Sequence, residues 1–188
     1  MSERELTPEE QKALLKLARQ TVARLVRAGG DEPPPAGLPG PDLARGAFVT
    51  IHRQGRLRGC IGNFTAQGSL VDTIRDMAVA AASEDPRFPP LRAEELKDIE
   101  LEISVLSPLR PINDVSEIQV GRHGIYIVNP RGRGVLLPQV AAEYGWDRET
   151  FLDQTCMKAG LAPGCWKDPR TQILIFSAQI FGEKQTQG

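Results

Sequence analysis

Cysteine, histidine and aromatic residues are scarce in this chain of 188 residues. It has three cysteines, two histidines, two tryptophans, two tyrosines and six phenylalanines. The odd cysteine count and the wide spacing of Cys60, Cys156 and Cys165 argue against a disulfide framework. With only His52 and His123, neither a zinc finger nor a His-Glu-x-x-His site can form, so no metal is expected. The aromatics do not interleave with arginines, which removes the stacking platform that single-stranded RNA needs. Charge of one sign is also missing. Lys and Arg total 23 against 24 Asp and Glu, a net charge of -1, so no global basic field attracts nucleic acid. No apolar run approaches the ~20 residues of a membrane span. The opening MSERELTPEE is polar and acidic, which predicts no signal peptide and a cytoplasmic location. Gly121, Gly124, Gly132 and Gly134 do not match a dinucleotide fingerprint, and no Walker loop or nucleophile elbow is present. No cofactor is expected.

What is present describes a globular chain. Apolar residues make up 40% and charged residues 25%, enough for a single domain over 1–188 that buries roughly 70% of its unfolded surface. Thr7, Pro8 and Glu10 form a capping box that starts a helix over 7–28. Leu14, Ala18, Val22 and Leu25 recur on one face, and Gly29-Gly30 stops it. The Pro-rich stretch 31–41 reads as a loop wrapped over the domain. Residues 46–64 read as two strands around Gln54-Gly55. Ser69 caps a helix with Asp72 in the box position and a stripe of Leu70, Ile74, Met77 and Ala81; Pro86 bounds it. Ile99 to Val105 alternate as a strand with one buried face. A second hairpin turns at Pro130-Arg131-Gly132. Pro138 starts a short helix stopped by Gly145, and Asp147 caps the next, with Trp146 and Phe151 as its staple. Gly160 ends that helix with Leu161 over Cys156. A strand, ILIFSAQIF, precedes a polar tail over 183–188 that is expected to be disordered. Each half runs hairpin, helix, Asp-Pro-Arg: Asp85-Pro86-Arg87, then Asp168-Pro169-Arg170. This points to an α+β fold of duplicated units.

The candidate chemistry gathers at Leu57-Arg58-Gly59-Cys60-Ile61-Gly62. Strand alternation puts Leu57, Gly59 and Ile61 on one face and Arg58 and Cys60 on the other. Gly59 and Gly62 permit close approach by a backbone or a ligand. A guanidinium beside Cys60 would favour the thiolate, the nucleophilic form. The bland alternative is a small buried cysteine in a glycine-rich bulge, which physical chemistry favours. Glu84, Asp85 and Arg87 either face a cleft or simply close the helix, with Asp85 accepting backbone hydrogen bonds. His123 is a candidate acid or base, or a satisfied turn residue. Arg53, Arg56 and Arg58 on the first hairpin and Arg131 and Arg133 on the second are either solvated tips or the makings of an anion site. Cys156 is expected in the core and Cys165 in a loop.

With LRGCIG, Asp85-Pro86-Arg87-Phe88, His123-Gly124-Ile125, Leu136-Leu137-Pro138-Gln139, Trp146, Phe151-Leu152, and Cys156 with Lys158-Ala159-Gly160-Leu161 in that order, the chain resembles the AMMECR domain family. Prokaryotic members of that family are called AmmeMemoRadiSam system protein A. The resemblance runs from the first helix to the last strand. It implies a duplicated β-α fold sharing one barrel-like, mainly antiparallel sheet with flanking helices. It also implies two partners, a Memo-like protein and a radical S-adenosylmethionine enzyme, but supplies no activity. Its best site is the cleft around LRGCIG, which raises Cys60, His123 and Arg58 as site residues, followed by Gly59, Glu84, Asp85 and Arg87.

Three functions compete. In the first, an enzyme, Cys60 is nucleophile or thiol carrier, His123 the base and Arg58 the anchor for a small anionic substrate. In the second, a non-catalytic adaptor or substrate-presenting module buries a patch against a partner. The third, nucleic-acid binding by the hairpin arginines, runs against the net charge.

Overall fold

The computed structural model describes residues 4–27, 32–66 and 68–184. The described residues form α1 (Pro8–Arg27), β1 (Ala47–Arg53), β2 (Arg56–Asn63), α2 (Leu70–Ser83), β3 (Ile99–Leu106), β4 (Arg110–Ile112), β5 (His123–Asn129), β6 (Gly132–Leu136), α3 (Pro138–Glu143), α4 (Arg148–Lys158) and β7 (Gln172–Gly182). They make two compact units. One runs to Leu106 and resumes at Gln179; the other is Ser107–Ala178. β7 therefore begins in the second unit and ends in the first. The fold is α+β, with antiparallel strand pairs and flanking helices.

In the first unit β1 lies between β2 and β3, with β3 next to the end of β7. Gln54 and Gly55 both adopt positive φ, 53° and 76°, as a two-residue hairpin turn requires. The inward residues of β1 and β3, among them Val49, Ile51, Leu101 and Ile103, join Leu14, Ala18 and Val22 of α1 and Leu70, Ile74 and Met77 of α2 in one core. The cap of α1 closes reciprocally: the Thr7 N–H donates to Glu10 Oε2 at 2.9 Å and the Glu10 N–H to Thr7 Oγ1 at 3.2 Å. The Asp72 N–H donates to Ser69 Oγ at 3.1 Å, capping α2. Gly29 and Gly30 lie outside the described residues. Leu25, expected on the buried stripe, is 40% exposed; the last turn of α1 runs past the core.

In the second unit the strand order is β6-β5-β7, with β4 also pairing with β7. Ile125, Ile127, Ile173 and Ile175 pack with Phe151, Leu152 and Cys156 of α4. The helix ends in the expected Schellman pattern, with the Leu161 N–H donating to the Cys156 carbonyl at 2.9 Å and the Gly160 N–H to Met157 at 3.0 Å. Two expectations fail at the cysteines and the tail. Cys156 and Cys165 form a disulfide with Cα atoms 5.8 Å apart. The left-handed Gly160 turns the chain back over its own helix, so a spacing of nine residues, wide in sequence, is short in space. Glu183 and Lys184, expected in a disordered tail, are among the described residues. The Glu183 carboxylate binds the Arg19 guanidinium and accepts the Leu101 N–H at 2.8 Å, while residues 185–188 lie outside the described residues.

The duplication is visible within each unit. A Cβ on Gly59 of β2 would lie 2.1 Å from the Ala81 carbonyl of α2, and one on Gly132 of β6 would lie 2.1 Å from the Ala159 carbonyl that ends α4. In both, the hairpin's second strand presses its backbone onto a helix, and only glycine fits.

Candidate functional site

The site is built on β2, the last strand in its sheet's order. Such a strand leaves alternate backbone N–H and C=O groups without a ladder partner. At Cys60 they are met by side chains. The Cys60 N–H donates to Asp85 Oδ2 at 2.9 Å, and Arg87 Nη2 donates to the Cys60 carbonyl at 3.4 Å. Asp85 and Arg87 are themselves locked together. Arg87 Nε and Nη2 donate to the two carboxylate oxygens at 2.9 and 2.7 Å, and the Arg87 N–H adds a third bond at 3.1 Å. The Asp-Pro-Arg sequence makes this possible. Pro86 sets the turn that brings residue 87 back onto residue 85. Asp85 is 4% exposed. Its carboxyl is held far below the usual carboxylate range, chiefly by the Arg87 guanidinium, with the Cys60 and Arg87 N–H groups adding to the effect. Arg87 is correspondingly held above its ordinary value, first by Asp85 and in smaller part by Coulombic attraction to Cys60.

Arg58 sits at a bulge, where Ile51 pairs with Gly59 but His52 with Leu57. An extra residue here re-aims the side chains, so the simple alternation expected for this strand breaks. Leu57 becomes exposed, while Arg58 turns to Glu95 and holds both its carboxylate oxygens at 3.0 Å. Arg53 Nη1 reaches the same carboxylate at 3.0 Å. The Arg58 guanidinium lowers the Glu95 pKa first, with the Arg92 N–H assisting. Phe88 lies between the two arginines, its ring 5.9 Å from Arg58 Cζ and 5.6 Å from Arg87 Cζ. A cleft of about 430 Å³ opens beside Arg53, Arg58, Arg92 and Glu95.

The Cys60 thiol is half-buried and lies 3.1 Å from Thr50 Oγ1, its direct cross-strand partner. Of the residues expected at the site, the structure gathers Arg58, Gly59, Cys60, Asp85 and Arg87. Glu84 stands exposed at the end of α2. His123 belongs to the second unit, where its Nδ1 accepts the Gln119 N–H at 3.2 Å. Arg58, read as the anchor for an anion, and Arg87, read as facing a cleft, are each already held by a buried carboxylate. Glu95 and Thr50 were not singled out by sequence, and Phe88 only as part of a family motif. Glu95 carried one signal, its place three residues after Arg92 at the start of a 3-10 turn, where it accepts the Arg92 N–H at 3.0 Å. Among the described residues no group of three or more His, Cys, Asp or Glu side chains gathers as a metal site, and no helix is long and apolar enough to cross a membrane.

Comparison with known proteins gives these residues a setting. The AMMECR1 family model matches residues 15–181. A protein of Methanothermobacter thermautotrophicus is 44% identical over 187 residues, covering 95% of this chain and 96% of that one. One of Thermococcus gammatolerans is 46% identical, covering 93% and 91%. The crystal structure of the uncharacterised protein PH0010 from Pyrococcus horikoshii superposes with a TM-score of 0.80 at 40% identity, covering 91% of this chain and 90% of that one. The motifs, the fold and the extent of these matches agree, and the chain belongs to the AMMECR1 family.

Proposed function

We propose that this chain is the adaptor or substrate-presenting member of a cytoplasmic modification system, with a Memo-like protein and a radical S-adenosylmethionine enzyme as its partners. Its working surface is the edge of β2 from Leu57 to Gly62. One observation carries this reading: the ionic side chains of the site are spent on architecture. Asp85 and Arg87 close the backbone of Cys60, and Glu95 fixes Arg58. What remains outward is a shaped, semi-apolar edge bearing the exposed Leu57 and the half-buried Phe88. Rigid presentation of such an edge suits a partner surface better than it suits turnover. In interferometry with each partner from the same genome, Leu57→Glu should weaken binding by roughly tenfold, the scale of a central interface contact. Binding of neither partner at high micromolar concentration would overturn the proposal.

A second reading, thiol chemistry, is favoured by the half-buried Cys60 thiol and by the Arg87 guanidinium that reaches the Cys60 carbonyl. Cys60 would then be the nucleophile, and Arg58 would face a small anionic substrate. Alkylation of native protein across pH tests it. Rapid labelling of Cys60 below the reference thiol pKa of about 8.5 supports the nucleophile; protection until denaturation removes it.

A further inference from the structure

The second unit carries a cationic cleft that the site on β2 does not use. It has a volume of about 590 Å³ and is lined by Val128, Arg131, Arg133, Arg170 and Gln172 together with the β5–β6 turn. Arg133 pairs across the strands with Val128, and Val128 pairs with Gln172, so these three stand in one row on one face of the sheet. That face is opposite the one covered by α4, because the neighbouring Gly132 and Gly134 turn toward Ala159.

Arg131 and Arg170 are mounted on two turns that are pinned together, while Arg133 stands on β6. Asn129, 5% exposed, accepts the Arg131 N–H at 3.0 Å and donates through Nδ2 to Thr171 Oγ1 at 2.9 Å. Thr171 Oγ1 in turn donates to the Cys165 carbonyl at 2.7 Å, and the Thr171 N–H to the Asp168 carbonyl at 2.8 Å. Arg170 is oriented by Asp168, whose oxygens accept its Nε and Nη2 at 3.1 and 2.7 Å. Arg133 has no carboxylate partner among the described residues, and Arg131 is tied to acid only by Coulombic attraction to the same Asp168. Asp168 thus serves Arg170 and, more weakly, Arg131, Arg133 is left without a carboxylate, and no acidic side chain lines the cleft. Three cations lining one cleft repel one another unless an anion joins them. Planar guanidinium forks match phosphate oxygens in particular.

We propose that this cleft binds a small phosphate-bearing molecule carrying at least two negative charges, with Arg131 and Arg133 as its principal contacts and Arg170 as the third. It is a binding site independent of the β2 edge, so it stands or falls separately from the adaptor reading. The test is calorimetric titration of the full chain with inorganic pyrophosphate at low ionic strength, repeated with a short single-stranded RNA. Saturable binding of pyrophosphate is expected, weakened by roughly tenfold or more in Arg131→Ala/Arg133→Ala, the loss of two charge-assisted contacts. Arg110→Ala removes an exposed arginine of the same unit that pairs with Glu117 and should leave the affinity unchanged. Should the double variant fold poorly, Arg133→Gln alone should still weaken binding. Absence of saturable pyrophosphate binding, equal loss in Arg110→Ala, or binding of the RNA alone would each overturn the proposal.

Discussion

At the scale of single residues, Asp85 decides the most. It joins three parts of the chain that sequence keeps apart or merely adjacent: the backbone of Cys60, the guanidinium of Arg87 and the N–H of Arg87. Asp85→Asn keeps an acceptor for Cys60 but loses the charge-assisted fork. It should cost about 2 to 3 kcal/mol at neutral pH, the scale of hydrogen bonds to a charged group. The pH dependence has a definite sign. The folded carboxyl lies below its unfolded value, so its stabilisation is fully present above the unfolded pKa of about 3.9 and drains away as pH falls toward the lower folded value. Urea midpoints should therefore differ most between wild type and Asp85→Asn above pH 4, and converge in stronger acid. A constant difference down to pH 2 would refute this role. Glu95 makes a second case. Its removal leaves the well-buried Arg58 guanidinium without its main partner, and Glu95→Ala should cost about 3 kcal/mol by chemical denaturation.

At the scale of elements, the hairpin-on-helix contact is the repeated device. Gly59 and Gly132 each bring a strand onto the end of a helix at a distance that excludes any Cβ. The neighbouring atom is a backbone carbonyl, which cannot swing aside as a side chain would. Gly59→Ala and Gly132→Ala should each destabilise by about 2 to 4 kcal/mol, more than ordinary overpacking. Gly55→Ala is the contrast: open space surrounds its Cβ, and only its positive φ resists, at about 1 kcal/mol. Equal losses at all three positions would mean that conformation alone, and not the close approach, matters. The LRGCIG segment gains its meaning at this scale, since one glycine is required by α2 and the other, Gly62, by the Phe48 ring, which a Cβ there would overlap.

At the scale of the whole molecule, the chain has one free thiol and one cross-link. Under denaturing, non-reducing conditions one of the three cysteines should react with a thiol reagent; after reduction all three should. Cys165→Ser should cost about 2 to 3 kcal/mol, as expected for closing so short a loop, and reductant should erase the difference from wild type. Three reactive thiols without reduction would remove the bond. The near-balanced charge of -1 also matters at this scale. With no molecular field to draw in a polyanion, any anion recognition must be local, as in the cleft between the β5–β6 turn and Arg170.

Much of this was determined by sequence alone, because it depends on neighbours a few residues apart. The caps at Thr7, Ser69 and Asp147, the turn at Gln54-Gly55, the Schellman end at Gly160 and the two Asp-Pro-Arg turns are local hydrogen-bond problems with few solutions. The order of motifs was enough to show the family. Only the tertiary structure decided the rest. The alternation of β2 could not reveal a bulge at Arg58, which depends on the register against β1. Spacing could not reveal the Cys156–Cys165 bond, which depends on where a left-handed glycine sends the chain. Nor could it show that Arg58 is held by Glu95 while Arg133 has no carboxylate among the described residues. Whether a charge is paired depends on what distant segments bring within about 3 Å, a distance that sequence separation does not measure.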